Sequence, residues 1–375
     1  MPEGGAALDL RRPATEPLAR ISEIVATSLA PLAERIDREG FNPAEVLRAF
    51  GREGAFAFHL SGHTSLASPD LGLSILAMAA MGAECMSTAF CAWCQDACGW
   101  YLENSDNDWL RAELQGGIAD ASLLGGTGLS NPMKALAGIE GFKLKARRCE
   151  GGYVVSGALP WVSNLGDGHW FGTIFEDAAD PAHRIMAMVR CGQPGVEIRA
   201  SAHFVALEGT GTYGVMFKRA FIPDAHLLAD PLSDMARRIR PGFVLLQTGM
   251  GLGVIEGCIN DMRHFDVTLA HTNKYLPHGP SFFADELSSL RERILALAET
   301  PNERAPDYLR DVLRARLNVS ELTLLATQAA ILHGGARGYL EGSTVERRQR
   351  EGNFVAIITP SIRHLRQELA SMSQA

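Results

Sequence analysis

Cys91, Cys94 and Cys98, with Cys85 just upstream, are the densest group of metal-capable side chains in the chain. Thiolates this close together can hold zinc or an iron–sulfur centre. Their offsets of three and four, however, put them on one face of a helix whose other members are Ala, Phe and Trp, the pattern of small buried thiols. The histidines form no H-x-x-x-H pair with an intervening acid, so a zinc-hydrolase motif is absent and no metal site is expected. Neither a G-x-S-x-G elbow nor a G-x-x-x-x-G-K-(S/T) phosphate loop occurs. Gly249-Met250-Gly251-Leu252-Gly253 lies inside a helical pattern with no strand before it, which points to close helix packing.

Two other groups have the residue types that meet cofactors. Gly334-Gly335 would let backbone approach a ligand and offer N–H donors to phosphate or ribityl oxygens, although a glycine pair after a helix also serves as a helix stop. Trp161-Val162-Ser163-Asn164 combines an aromatic wall with a hydroxyl, and equally suits a core Trp at a strand end followed by a Ser-Asn turn.

The chain that must position these groups has 375 residues, 46% of them hydrophobic, and a mean hydropathy of +0.01, enough for more than one compact unit. Lys and Arg number 35 against 43 Asp and Glu, a net charge of -8, with no basic stripe to track phosphates, so nucleic acid is not an expected partner. Met1 to Arg20 lacks a signal-peptide profile, and no uninterrupted apolar run reaches the roughly 18 residues of a membrane span. A cytoplasmic protein with reduced thiols is the expectation, the cysteine number being odd at seven.

Residues 1 to about 18, with Gly-Gly and three prolines, read as a mobile lead-in. Ile21, Ile24, Val25, Leu29, Leu32 and Ile36 then recur at helical spacing, and Leu71 to Tyr101 suits buried helices. Phe142, Leu144 and Ala146, a Glu150-Gly151-Gly152 turn, then Tyr153, Val154 and Val155 predict a hairpin. Short β-like runs follow at Trp170 to Phe175, Ile185 to Val189, Val196 to Ala200 and Tyr213 to Phe221. Beyond Pro231 and Pro241 the helical period returns in Val244 to Phe265, Asp285 to Ala298 and Asp307 to His333, where Val312, Leu313 and Leu317 adjoin a charged edge that includes Arg316. The division predicted is a helical domain over 1–120, an antiparallel β domain over 121–230 and a helical bundle over 231–375.

Four segments, in order across residues 20 to 370, resemble the acyl-CoA dehydrogenase family. Gly151-Gly152-Tyr153-Val154-Val155-Ser156-Gly157-Ala158-Leu159-Pro160-Trp161-Val162-Ser163-Asn164 is similar to the family's G-G-Y-x-(L/I)-x-G-x-K-x-W-I-(S/T)-N run. Phe217 to Leu228 resembles the exit from the β domain into the bundle. Gly334-Gly335-Ala336-Arg337-Gly338-Tyr339 with Val345-Glu346-Arg347 and Arg350-Glu351 is similar to G-G-x-G-Y and V-E-R-x-x-R-D. Gly125 to Asn131 is a loose form of T-E-P-x-A-G-S-D, aligned at Ser130.

The resemblance implies an α+β fold of N-terminal helices, a middle antiparallel β domain and a C-terminal four-helix bundle, with a flavin between the last two. It implies FAD, with FMN as an alternative, held by Ser130, Trp161, Val162, Ser163, Gly334 and Gly335, the glycine pair acting across a subunit boundary of a homotetramer or homodimer. The implied reaction is α,β-oxidation of an acyl-CoA, with a separate electron acceptor.

The family's catalytic Glu falls here on Thr359, and a second position for the base falls on Phe243; neither side chain can take a proton. The family's flavin-holding Arg and Gln fall on Leu269 and Ile331, with His271, Asn273, Lys274 and Arg337 near enough to compensate. Relatives that lack the Glu run oxygen chemistry as monooxygenases fed by a flavin reductase, often with a His or Ser near the flavin ring. His364 and Gln95 are the catalytic candidates on that reading, although Arg363 and Arg366 put His364 on a solvated helix face. Dehydrogenase, monooxygenase and non-catalytic relative all stay open.

Overall fold

The computed structural model describes residues 16–200 and 202–374. Most of the predicted lead-in lies outside the described residues; its last part, from Glu16, is already helical. The first third is all helix: α1 (Glu16–Ile24), α2 (Ala33–Arg38), α3 (Ala44–Arg52), α4 (Leu71–Glu84), α5 (Met86–Glu103) and α6 (Asp108–Ala119). Asp70 caps α4 by accepting from the Leu73 N–H at 3.0 Å, and Asn107 caps α6 in the same way. Nearly every residue of α4 and α5 is buried, which explains why their apolar positions show no one-sided stripe.

The middle third contains β1 (Gly125–Thr127), the short α7 (Ser130–Leu136), β2 (Leu144–Cys149), β3 (Gly152–Val162), β4 (Trp170–Asp177), β5 (Arg184–Arg190), β6 (Val196–Arg199), β7 (Tyr213–Pro223) and β8 (Leu227–Ala229). Glu150 and Gly151 turn the β2–β3 hairpin, Gly151 at φ +74°. Strand order is β6-β7-β3-β2-β4-β5-β8, with β1 added beside β4. The sheet is mixed where the sequence predicted it antiparallel: β4 pairs in parallel with both β1 and β2, and for β2 the reason is that β3 reverses the chain once before residues 163–169 carry it to the other edge of β2.

The last third is α8 (Ser233–Asn273), α9 (Pro280–Ala298), α10 (Pro306–Gly334), α11 (Thr344–Ile357) and α12 (Ile362–Met372). The helix predicted from Val244 begins earlier, at Ser233, and runs through Pro241. There Trp100 packs against the backbone, its indole N–H donating to Ile239 O at 2.8 Å, in space that a Cβ on Gly242 would occupy. α8 is apolar enough by composition to cross a membrane, yet its most apolar window is 94% buried inside the protein. Gly249 and Gly253 let α4 approach it closely: a Cβ at Gly249 would lie 2.7 Å from Ile75 O. Arg316, read in sequence as part of a charged edge, is fully buried in the bundle core.

Candidate functional site

β1 is held beside the end of β3 by two side-chain amides. Gln95 accepts from the Gly125 N–H at 2.7 Å and donates to the carbonyls of Ile118 and Leu123, while Asn164 donates to Gly125 O at 2.7 Å. Asn164 does this from φ +60°, a conformation Asn tolerates better than most residues. Gly126 is required because a Cβ there would fall on the Ser163 carbonyl. The Thr127 and Ser163 backbones are thereby bridged, and their side chains enter one cavity.

That cavity has a volume of about 480 Å³ and opens between the sheet and the bundle. Its sheet-side wall is a row of hydroxyls: Thr127, Ser163, Thr210 and Thr212. Tyr101 Oη lies 2.8 Å from Thr127 Oγ1, and Thr210 and Thr212 lie 2.8 Å apart. Thr212 donates to Ser163 Oγ at 2.9 Å, which leaves the Ser163 hydroxyl hydrogen to be donated elsewhere. Trp161, 41% exposed, closes one edge and meets Phe204 edge-on at 5.6 Å.

The helical wall is aromatic. Phe90 stacks on Trp93 with centroids 5.7 Å apart, Phe354 meets Phe90 at 4.8 Å, and Phe243 meets Trp93 at 5.1 Å. At the corner between the walls, Ser130 Oγ lies 3.4 Å from Thr359 Oγ1. Lys134, one turn beyond Ser130 on α7, also lines the cavity; its nearest carboxylate is Glu140 at 4.0 Å. Arg350 is engaged by Asp37, Glu346 and Val205 O. No carboxylate and no histidine is among the lining residues.

A second chamber of about 380 Å³ shares Leu129 and Phe243 with the first. It is largely apolar, with Arg237, Arg240 and Arg304 among its polar residues.

Of the residues singled out in sequence, Ser130, Trp161, Ser163, Phe243 and Thr359 therefore line one cavity. Val162 points into the sheet core, and Gln95 is spent on backbone groups under β1. Gly334 and Gly335 end α10 away from the cavity; a Cβ on Gly334 would press on Phe265 at 2.9 Å, whereas Gly335 faces open space at φ +54°. Near them Asn273 donates to Asp266 and to His333 O, so its amide is used within the chain. His364 is not solvated: with Leu365 it forms the buried edge of α12, burial lowers its pKa, and neither ring nitrogen has a hydrogen-bond partner among the described residues. Its nearest carboxylate is Glu368 at 3.7 Å, which is bonded to Arg240 at the second chamber. The cysteines Cys91, Cys94 and Cys98 are buried thiols, Cys98 pushed up to about 12 by desolvation. Lys134 was not legible as a site residue; its only sequence signal is its four-residue offset from Ser130.

No family model matches the chain. The chain is 24% identical over 257 residues to benzylmalonyl-CoA dehydrogenase of Aromatoleum aromaticum, a match spanning 67% of this chain and 66% of that protein, just under two thirds of its length. Among solved structures it superposes on butyryl-CoA dehydrogenase from Megasphaera elsdenii with TM-score 0.86 at 17% identity, covering 96% of this chain and 97% of that one. The chain has the acyl-CoA dehydrogenase fold. The same fold in dibenzothiophene monooxygenase from Paenibacillus sp. A11-2 superposes with TM-score 0.79 at 14% identity, covering 95% and 96%, and its FMN-bound form with TM-score 0.82. The resemblance read from the four sequence segments is thus upheld, and both dehydrogenases and a monooxygenase share this acyl-CoA dehydrogenase fold.

Proposed function

We propose that this protein is a flavin-dependent oxidoreductase that oxidises an acyl thioester at its α,β bond. The observation that carries the reading is the composition of the cavity's two walls: a row of hydroxyls on the sheet side facing aromatic rings on the helical side. That combination fits an isoalloxazine, whose polar edge needs hydrogen-bond partners and whose faces need apolar cover. Ser163, with its free hydroxyl hydrogen, would donate to the polar edge, Thr127 and Thr212 would offer it hydroxyl oxygens, Thr210 would hold Thr212 from behind, and Trp161 would shield the edge from water. FAD is the flavin the resemblance implies, and FMN is the alternative. The flavin would supply the two-electron acceptor, and this chain's residues would bind, orient and exclude water.

The second chamber supports a thioester with a long apolar arm: its walls beyond Leu129 and Phe243 are apolar, and its charged rim is mixed, Arg237, Arg240 and Arg304 standing with Glu303 and Glu368, Arg240 paired to Glu368 and the other two arginines to Asp234. With Thr359 and Phe243 unable to accept a proton, Lys134 is the lining residue whose side chain, as the free amine, has a lone pair that can take one up. We assign it the candidate role of proton acceptor at the substrate α-carbon.

A monooxygenase is the second reading, favoured by the absence of any carboxylate among the cavity-lining residues. The deciding experiment is the absorbance spectrum of protein reconstituted with FAD or FMN and titrated anaerobically with aryl- and alkyl-acyl-CoA thioesters. Bleaching by a thioester supports the dehydrogenase. A bound flavin that thioesters leave oxidised, and that turns over substrate only after external reduction and admission of oxygen, supports the monooxygenase; failure to bind either flavin overturns both.

A further inference from the structure

Among the described residues Arg316 is the largest fully buried side chain, and no carboxylate among them lies within ion-pair distance of it. Burial lowers its pKa to about 10, so it remains a cation at neutral pH. A buried guanidinium without a counter-ion is costly, and an apolar side chain of similar size would fill the space for less. What it touches gives the reason for its presence. Nε donates to Gln247 Oε1 at 3.2 Å, Nη1 donates to Ser320 Oγ, and Nη2 donates to Val355 O at 2.8 Å. Gln247, itself fully buried on α8, passes the connection on by donating Nε2 to Thr359 O at 2.9 Å.

The cation and its amide partner thus hold two carbonyls, one in the last turn of α11 and one just beyond it. Between and beside them stand Phe354, Ile357, Ile358 and Thr359, all of which line the cavity. These carbonyls lie where a helix end leaves acceptors without intrahelical partners. Charge-assisted donors from the bundle core answer them.

We propose that Arg316 and Gln247 are positioning residues: a buried guanidinium–amide relay that sets the 354–359 wall of the site from behind, and through Thr359 sets its hydroxyl against Ser130 of the opposite wall. The geometric claim stands on the bundle alone; its consequence for ligand binding rests on the flavin reading proposed above.

The test is amide hydrogen exchange on the full-length protein, wild type against Arg316→Gln, Arg316→Lys and Gln247→Leu, followed peptide by peptide. Exchange in the peptide spanning 353–362 should rise about tenfold in Arg316→Gln and Gln247→Leu, with α4 and the rest of α8 unchanged, and should be partly restored in Arg316→Lys. Flavin dissociation constants, read from fluorescence quenching, should rise about tenfold in the same two variants. Exchange that rises equally through the whole bundle, or not at all in 353–362, would overturn the relay. If Arg316→Gln does not fold, Gln247→Leu decides, because it cuts the relay and leaves the cation in place. Wild-type protein that binds no flavin removes the functional reading, while the exchange pattern still decides the relay.

Discussion

Ser130 Oγ and Thr359 Oγ1, separated by 229 positions in sequence, lie 3.4 Å apart and join the sheet side of the cavity to the helical side. This is where the family resemblance puts a carboxylate, and a pair of hydroxyls stands there instead. A hydroxyl pair can orient a carbonyl or a water but does not remove a carbon-bound proton at neutral pH.

Restoring the carboxylate is therefore an informative change. Thr359→Glu is expected to raise the rate at which an acyl-CoA bleaches the bound flavin by about 100-fold, the lower end of general-base contributions. Stopped-flow absorbance under anaerobic conditions measures it. An unchanged or lower rate would mean that the substrate α-carbon is not presented to this corner.

Lys134 should behave as the opposite case. Lys134→Gln is expected to lower kcat by about 100-fold with little change in flavin affinity, read from steady-state kinetics beside a fluorescence titration of the flavin. Equal activity in the variant would transfer proton removal to another group.

The hydroxyl row should be felt first in cofactor binding. Ser163→Ala removes the donor left free by Thr212, and loss of one such hydrogen bond costs about 1 kcal/mol, roughly a fivefold weaker flavin affinity. Thr212→Val should give a smaller effect, since Ser163 keeps its hydroxyl and loses only the group that orients it. Fluorescence titration with FAD and FMN separates the two variants.

Gly126→Ala tests the frame rather than the chemistry. The added Cβ would meet the Ser163 carbonyl, so β1 must move away from β3. Flavin binding should be abolished and Tm should fall by several degrees, as expected for overpacking of about 1–3 kcal/mol in a chain of this length. Circular dichroism melts alongside flavin titration check both.

His59 carries a pH dependence of definite sign. It is buried beside Ser74 Oγ at 2.9 Å and Asp96 O at 3.2 Å, and desolvation lowers its pKa from 6.5 to about 4. Below pH 6.5 the unfolded chain takes up a proton that the folded site refuses, so its share of stability is lost as pH falls from about 6.5 to about 4. The total is about 3 kcal/mol for this shift. Denaturant melts of the wild type and His59→Gln, subtracted at each pH, isolate this share from that of Asp96, whose pKa burial raises. A difference that stays flat across that window would show His59 titrating near its ordinary value.

The α8–α10 helices, the β2–β3 hairpin and Trp161 with Ser163 were legible because each depends on local period or a contiguous motif. Arg316 and His364 were misread for one reason: flanking charges and the spacing of apolar rows describe a single helix, while burial depends on which neighbour covers that face. In α12 the covering element is supplied by the bundle, and in α10 the guanidinium is buried because Gln247 and Val355 O are there to receive it.

By itself, then, the sequence determined the order of helical, sheet and helical regions, the hairpin turn and the strand that carries Trp161 and Ser163, since hydrophobic period and turn chemistry act over a few residues. Only the tertiary structure decided that β1 and β2 run parallel to β4, that Ser130, Lys134 and Thr359 share a corner, and that Gln95 supports β1 from below. Those relations depend on contacts between residues tens to hundreds of positions apart, where desolvation and hydrogen-bond completion, not local propensity, select the partner.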